Sequence, residues 1–158
     1  MPDPTRAAHA SNAPHRHAHR LIRWQRVALY STGSLLMSTG AVWLAVHYGF
    51  GAGAGGLPHP LEVWLLRLHG LLAFAGTFVL GVLGAGHIPQ GWRQTRRRHQ
   101  DGQRSSGVAL CAVAALLVFS GYGLFYFAPE AVRPSLGWAH AGIGAAMALL
   151  ITTHRRGA

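Results

Sequence analysis

Apolar residues in this chain gather into four long runs, with the polar residues confined to the gaps between them. The runs cover about 27–49, 61–87, 106–128 and 133–153. A helix needs ~20 residues to cross a hydrocarbon core of ~30 Å, so each run is long enough to span a bilayer. Together they use most of the 158 residues and leave no room for a separate soluble domain. The pattern predicts an all-α membrane protein, a four-transmembrane-helix up-down bundle over residues 26–158. Residues 1–25 are polar, contain proline and read as a flexible tail.

Charge sets the orientation. All fourteen basic side chains are arginine, and the net charge is +10. In a soluble protein that balance would suggest nucleic acid as a partner. Here the arginines sit beside the spans, so membrane lipid is the partner they imply and nucleic acid is not. Twelve lie before the first span, between the second and third, or after the fourth; only Arg67 and Arg133 fall near the opposite face. This positive-inside bias places both termini and the middle loop in the cytoplasm, with the spans in the cell inner membrane. The first run follows a long polar leader and lacks a small-residue cleavage site, so it reads as a retained span rather than a signal peptide.

The loops carry little chemistry. The outer connection over 49–60 contains GAGAGG, but no strand precedes it, so it is not a dinucleotide fingerprint. It reads as flexible. The inner loop over 88–107 is long and basic, and the connection over 128–134 is short enough to make the last two spans a tight hairpin. Trp64, Tyr122, Tyr126 and Trp138 fall near the outer boundary, as interfacial aromatics should. Cys111 is the only cysteine and reads as a small buried residue of the third span. His15, His17 and His19 alternate in the tail, either as a basic segment near anionic lipid or as a metal-binding tract.

Ionisable groups inside a bilayer are costly and therefore candidates for function. The four carboxylates Asp3, Glu62, Asp101 and Glu130 all avoid mid-membrane, which argues against an ion-coupled pump. Histidines do not avoid it. His69 and His87 lie on the second span, His140 and His154 on the fourth, and the topology makes these two helices parallel. Each therefore offers one imidazole near the outer face and one near the inner. The step from His69 to His87 is about five whole turns, and that from His140 to His154 about 40° short of four, so each helix keeps its pair on one face. Facing imidazole pairs, His69 with His140 and His87 with His154, suit one or two haem b groups. The second-span step is longer by about one helical turn, a mismatch that tilt or loosening at the glycine-rich GVLGAGH would have to absorb.

Small residues fit the same picture. Gly107 and Gly121 lie on the third span, one near each face, and Gly33 and Gly40 line one side of the first. They would let a flat macrocycle pass the neighbouring helices, or serve ordinary small-residue packing. His47, at the outer end of the first span, has three readings: an alternative outer ligand, a hydrogen-bond partner for a quinone, or a solvated interfacial residue. His59 and His99 read as solvated.

Several short segments resemble the small four-helix membrane cytochromes b, the superfamily that includes the haem subunits of formate dehydrogenase and hydrogenase. They are RWQRVALYSTGSLLMSTGAVWL in the first span, WLLRLHG around His69, SGYGLF in the third span and GWAHAGIG around His140. The similarity covers residues 23–154. It implies electron transfer, with Arg67 and Arg133 pairing with haem propionates on the outer side and Arg93, Arg155 or Arg156 on the inner. Many of those cytochromes carry a haem-ligating histidine just before the tryptophan of the first helix; here that position is Arg23, followed by Trp24. The inner site would then need His87 with His154.

Three functions follow from these observations. One is a b-type haem electron-transfer protein working with a redox partner subunit or a quinone, not a stand-alone catalyst. The second is a haem-free structural or assembly subunit of a larger membrane complex. The third, a transporter using the histidines as a relay, fits worst, because the spans show no internal repeat and no broken helix.

Overall fold

The computed structural model describes residues 21–98 and 101–156. Among them the chain is helical and contains no strand. The elements are α1 (Arg23–Phe50), a short 3-10 turn (Ala52–Ala54), α2 (Pro60–Ala85), α3 (His87–Arg98), α4 (Asp101–Tyr126) and α5 (Arg133–Arg156). α1, α2, α4 and α5 are long and apolar enough to cross a membrane. Most of the expected tail, with His15, His17 and His19, lies outside the described residues, as does His99.

Local chemistry sets the helix boundaries. α1 stops at Gly51, in a glycine run with little side chain to pack. α2 starts on Pro60, whose missing N–H costs nothing at a position with no intrahelical acceptor. His59 caps it by accepting from the Leu61 N–H at 3.2 Å. The second span stops short of His87: α2 ends at Ala85, Gly86 makes a break, and α3 begins at His87. The segment expected as a long basic loop is instead α3 followed by the first turn of α4. Its arginines and glutamines are good helix formers, and Pro89 falls in the first turn of α3, where it removes no helical hydrogen bond.

Side-chain pairs fix how the helices run. Thr39 meets His69, while His47, about two turns further along α1, meets Glu62, about two turns earlier on α2. Ser106 meets His154 and Ser120 meets His140, so α4 and α5 are also antiparallel. α1 runs antiparallel to α5 as well, since Met37 lies against Gly144 and Tyr48 stacks on Trp138. α2 and α5 are therefore parallel. The bundle consists of two hairpins, α1–α2 and α4–α5, pointing the same way, with α3 joining them. The end with the interhelical turns is called the hairpin end below; Arg23, Arg26 and Arg93 lie at the other.

Packing is close within each hairpin and sparse between them. The buried apolar residues are Val46, Val79, Leu83 and Ala128, and no described side chain is completely enclosed. Phe74, Phe78, Phe119 and Leu149 point outward, each more than two-thirds exposed, as a lipid-facing belt requires. Cys111 is exposed on α4 and not buried as its residue type suggests. Trp64, Tyr122, Tyr126 and Trp138 are exposed near the hairpin end.

Candidate functional site

The two hairpins bring His69 of α2 and His140 of α5 together. Their ring centroids are 6.3 Å apart and the ring planes cross at 74°. Each ring is held by a hydroxyl from the preceding helix of its own hairpin. Thr39 Oγ1 lies 2.9 Å from His69 Nδ1, and Ser120 Oγ lies 2.7 Å from His140 Nδ1.

Those hydroxyls bear on which nitrogen carries the proton. A hydroxyl has one hydrogen to give. Thr39 gives its hydrogen to the Leu35 carbonyl at 2.8 Å, and Ser120 to the Leu117 carbonyl at 3.2 Å. With its hydrogen on the carbonyl, each oxygen accepts from the imidazole, an arrangement that puts the histidine proton on Nδ1. The Nε2 lone pair of each ring is left for another partner. Metal-ligating histidines are held in this way, with the far nitrogen donating to an oxygen that fixes both ring and tautomer.

Glycine follows the hydroxyl residue in both hairpins. A Cβ added at Gly40 would approach His69 Cε1 to 3.4 Å, and one at Gly121 would approach His140 Cε1 to 3.3 Å. The missing side chains let the rings lie tight against α1 and α4. The repeat extends to sequence: LLMSTG at 35–40 and LLVFSG at 116–121 hold equivalent places. The correspondence is local: two leucines, a hydroxyl residue and a glycine. It escapes a sequence reading because the shared segment is short and its partner histidines lie at unequal distances downstream.

The spacing suits a metal between the rings. A metal–imidazole bond is ~2 Å, and with half of each ring added the centroids of two axial imidazoles come to ~6 Å apart. Among the described residues no group of three or more histidine, cysteine or acidic side chains could hold an ion.

Further along the second hairpin the motif recurs. Ser106 Oγ lies 2.7 Å from His154 Nδ1, and Gly107 follows Ser106. The equivalent residues of the first hairpin are Gln25 and a buried Leu83, not a serine and a histidine. His87 comes one turn later, beyond the break at Gly86. The structure brings the outer expected pair together, while His154 meets Ser106 and His87 opens α3. Gly33 and Gly107 face open space.

The remaining candidates are engaged near the hairpin end. Arg67 lies over the Trp64 ring at 5.2 Å, and Arg133 donates to the Ala128 carbonyl at 3.1 Å, closing the α4–α5 turn. His59, expected to be solvated, is half-buried as the cap of α2. Glu62 is the one buried charged residue among those described, only 6% exposed. Its carboxylate accepts from the backbone of Ala52 and His59, at 3.2 and 2.9 Å, and pairs with His47 Nδ1 at 2.7 Å. Any side chain at Gly51 would collide with that carboxylate, and Gly55 turns the chain at φ 82°. The glycine-rich loop is thus wrapped around Glu62, a role the spacing H-P-L-E at 59–62 could have signalled as a capping arrangement.

No family model matches the chain, and comparison with curated proteins and with solved structures finds no match either.

Proposed function

We propose that the protein is a b-type haem electron-transfer protein of a cell inner membrane, with His69 and His140 as the residues that would hold one haem. The observation that carries this reading is the pair of facing imidazoles, each in contact at Nδ1 with a hydroxyl that also reaches a helix carbonyl. Bound haem would supply one-electron ferric–ferrous chemistry. Thr39 and Ser120 fix the tautomer and orientation of the ligands and strengthen them as donors. Gly40 and Gly121 let the rings seat against the helices. Apolar α1 and α4 keep water from the pair and so help set its potential.

A second haem would be held by His154 and His87, with Ser106 Oγ 2.7 Å from His154 Nδ1. His87 would reach it through the break at Gly86. With both termini in the cytoplasm, the orientation the arginine distribution predicts, His69 and His140 lie nearer the outer face and His154 nearer the inner. Electrons would then cross between a quinone or redox partner subunit at one face and a partner at the other. A haem-free structural subunit would use the same hydroxyl contacts to satisfy its imidazole N–H groups, so haem content separates the two readings.

Absorbance of the purified protein tests the proposal. Dithionite should produce sharp reduced bands in the wild type, and His140→Ala should lose the His69–His140 haem. A colourless wild type, or His140→Ala with full haem content, sinks the assignment. One haem per chain in place of two removes the second site alone.

A further inference from the structure

The segment that joins the two hairpins carries a pattern the haem reading does not use. Residues 86–107 hold Arg93, Arg96, Arg97, Arg98 and Arg104 against a single carboxylate, Asp101. Most of the arginines fall in α3, a helix of 12 residues. At ~100° per residue, Ile88, Gly91, Trp92 and Thr95 share one face of α3, and Gln90, Arg93, Gln94 and Arg97 share the opposite one. Positions 96 and 98 flank the first face on its two sides. An apolar stripe edged by basic positions is the pattern of a helix lying in a membrane interface, stripe toward the acyl chains and charge among the headgroups. Ile88, Trp92 and Arg93 are exposed.

Chain geometry lays α3 across the end of the bundle. His69 and His140 face each other on parallel helices, so Leu83 and His154, each 14 residues further on, share a level. Ser106 meets His154 at that level. α3 begins about four residues, or ~6 Å, beyond it, and α4 about five residues, or ~8 Å, beyond it. Standing upright, α3 would carry Arg98 a further ~16 Å away and leave it ~14 Å above Asp101. The three Cα steps between them reach only ~11 Å, so the chain could not return. α3 therefore leans across the same end that exposes Arg23, Trp24 and Arg26. The apolar span of α4 starts there, at Ser105, so this level is also the edge of the bilayer.

We infer that α3 is an interfacial helix that binds anionic phospholipid in the leaflet at this end, the cytoplasmic one by the arginine distribution. Arginine pairs with phosphate through two parallel hydrogen bonds, and the surplus of positive charge selects an anionic headgroup over a zwitterionic one. Ile88 and Trp92 hold the helix at the depth where those phosphates lie. An acidic protein surface would answer the charge but leave the apolar stripe unused. Lipid bound along α3 would offset the mutual repulsion of the arginines on the segment that connects the hairpins. The inference is independent of the haem reading.

The test uses the full-length protein in vesicles of phosphatidylcholine and phosphatidylglycerol, with one lipid or the other brominated high on its acyl chains. Bromine quenches a neighbouring indole, and the Trp92 signal is the difference between wild type and Trp92→Phe. Both lipids should quench Trp92, and phosphatidylglycerol should do so with at least ~5-fold higher relative affinity, the worth of one arginine at an anionic surface. Arg96→Gln with Arg97→Gln should lower that ratio ~5-fold, while the remaining arginines hold the orientation of the chain. Equal affinity for the two lipids in the wild type overturns the anionic preference. Absence of quenching by either lipid places α3 off the bilayer, against water or an acidic protein, and overturns the site. An unchanged ratio in the double variant moves the selectivity to other arginines and overturns the assignment to α3. Haem content is measured separately and bears on none of these outcomes.

Discussion

His69 and His140 face each other with ring centroids 6.3 Å apart, each held at Nδ1 by a hydroxyl from the helix preceding it in its own hairpin. The relationship places half of the site on each hairpin. Each hairpin supplies one imidazole and one hydroxyl, and the consequences can be tested one group at a time.

The hydroxyl locks come first. Thr39→Val keeps the shape of the side chain and removes the acceptor for His69 Nδ1. Loss of such an outer partner typically weakens metal binding ~10–100-fold. Haem titration of Thr39→Val and of Ser120→Ala should show losses in that range, with a shift in midpoint potential for the haem retained. Thr39→Ser should restore both. Unchanged affinity and potential in Thr39→Val would mean that the hydroxyl merely fills space.

Glycine 40 and glycine 121 are predicted to be equivalent. A methyl at either position meets the Cε1 edge of its histidine at 3.4 or 3.3 Å, so alanine should be tolerated with a small spectral change. Leucine at either position should displace the ring and abolish the haem bound by the pair. At Gly33, which faces open space, leucine should leave haem content unchanged. The comparison separates ring seating from general small-residue packing.

A rebuilt repeat makes a stronger test. Leu83 occupies in the first hairpin the place that His154 holds in the second, and Gln25 the place of Ser106. Leu83→His with Gln25→Ser should recreate the motif. In a His87→Ala background, this double change should restore the second haem, counted by pyridine haemochrome assay. If His87→Ala already retains two haems, His87 is not a ligand.

Orientation is open to labelling. Cys111→Ser, at an exposed position on α4, should leave expression and haem content unchanged and give a cysteine-free chain. A cysteine then placed at Leu57, in the exposed loop, should react with an impermeant maleimide from outside the cell. One placed at the C-terminus should react only after lysis. The reverse pattern would invert the topology inferred from the arginines.

Much of the architecture is legible in the sequence because the bilayer imposes simple rules. The four spans show as apolar length, and the closeness of His69 and His140 follows once the second and last spans are made parallel. What escapes is decided by pairing at short range. Thr39, Ser106 and Ser120 look like ordinary small polar residues until their hydroxyls are seen against ring nitrogens. Glu62 reads as an edge residue because only the fold of the glycine-rich loop buries it. α3 is missed because its arginines announce a loop, although arginine is compatible with a helix. The inner pair carries its mismatch of about one turn in the sequence itself, and the structure locates the discontinuity at Gly86.

The sparse seam between the hairpins also bears on biogenesis. α1 and α2 can pair as soon as both have left the ribosome, and α4 and α5 can do the same later. Little besides Tyr48 on Trp138, Met37 on Gly144 and the two imidazoles then draws the halves together. A ligand gripped from both sides would act as the rivet of the assembled chain. Cells starved of that ligand should accumulate unjoined hairpins, which membrane proteases would clear, so supply of the ligand would control the abundance of the protein.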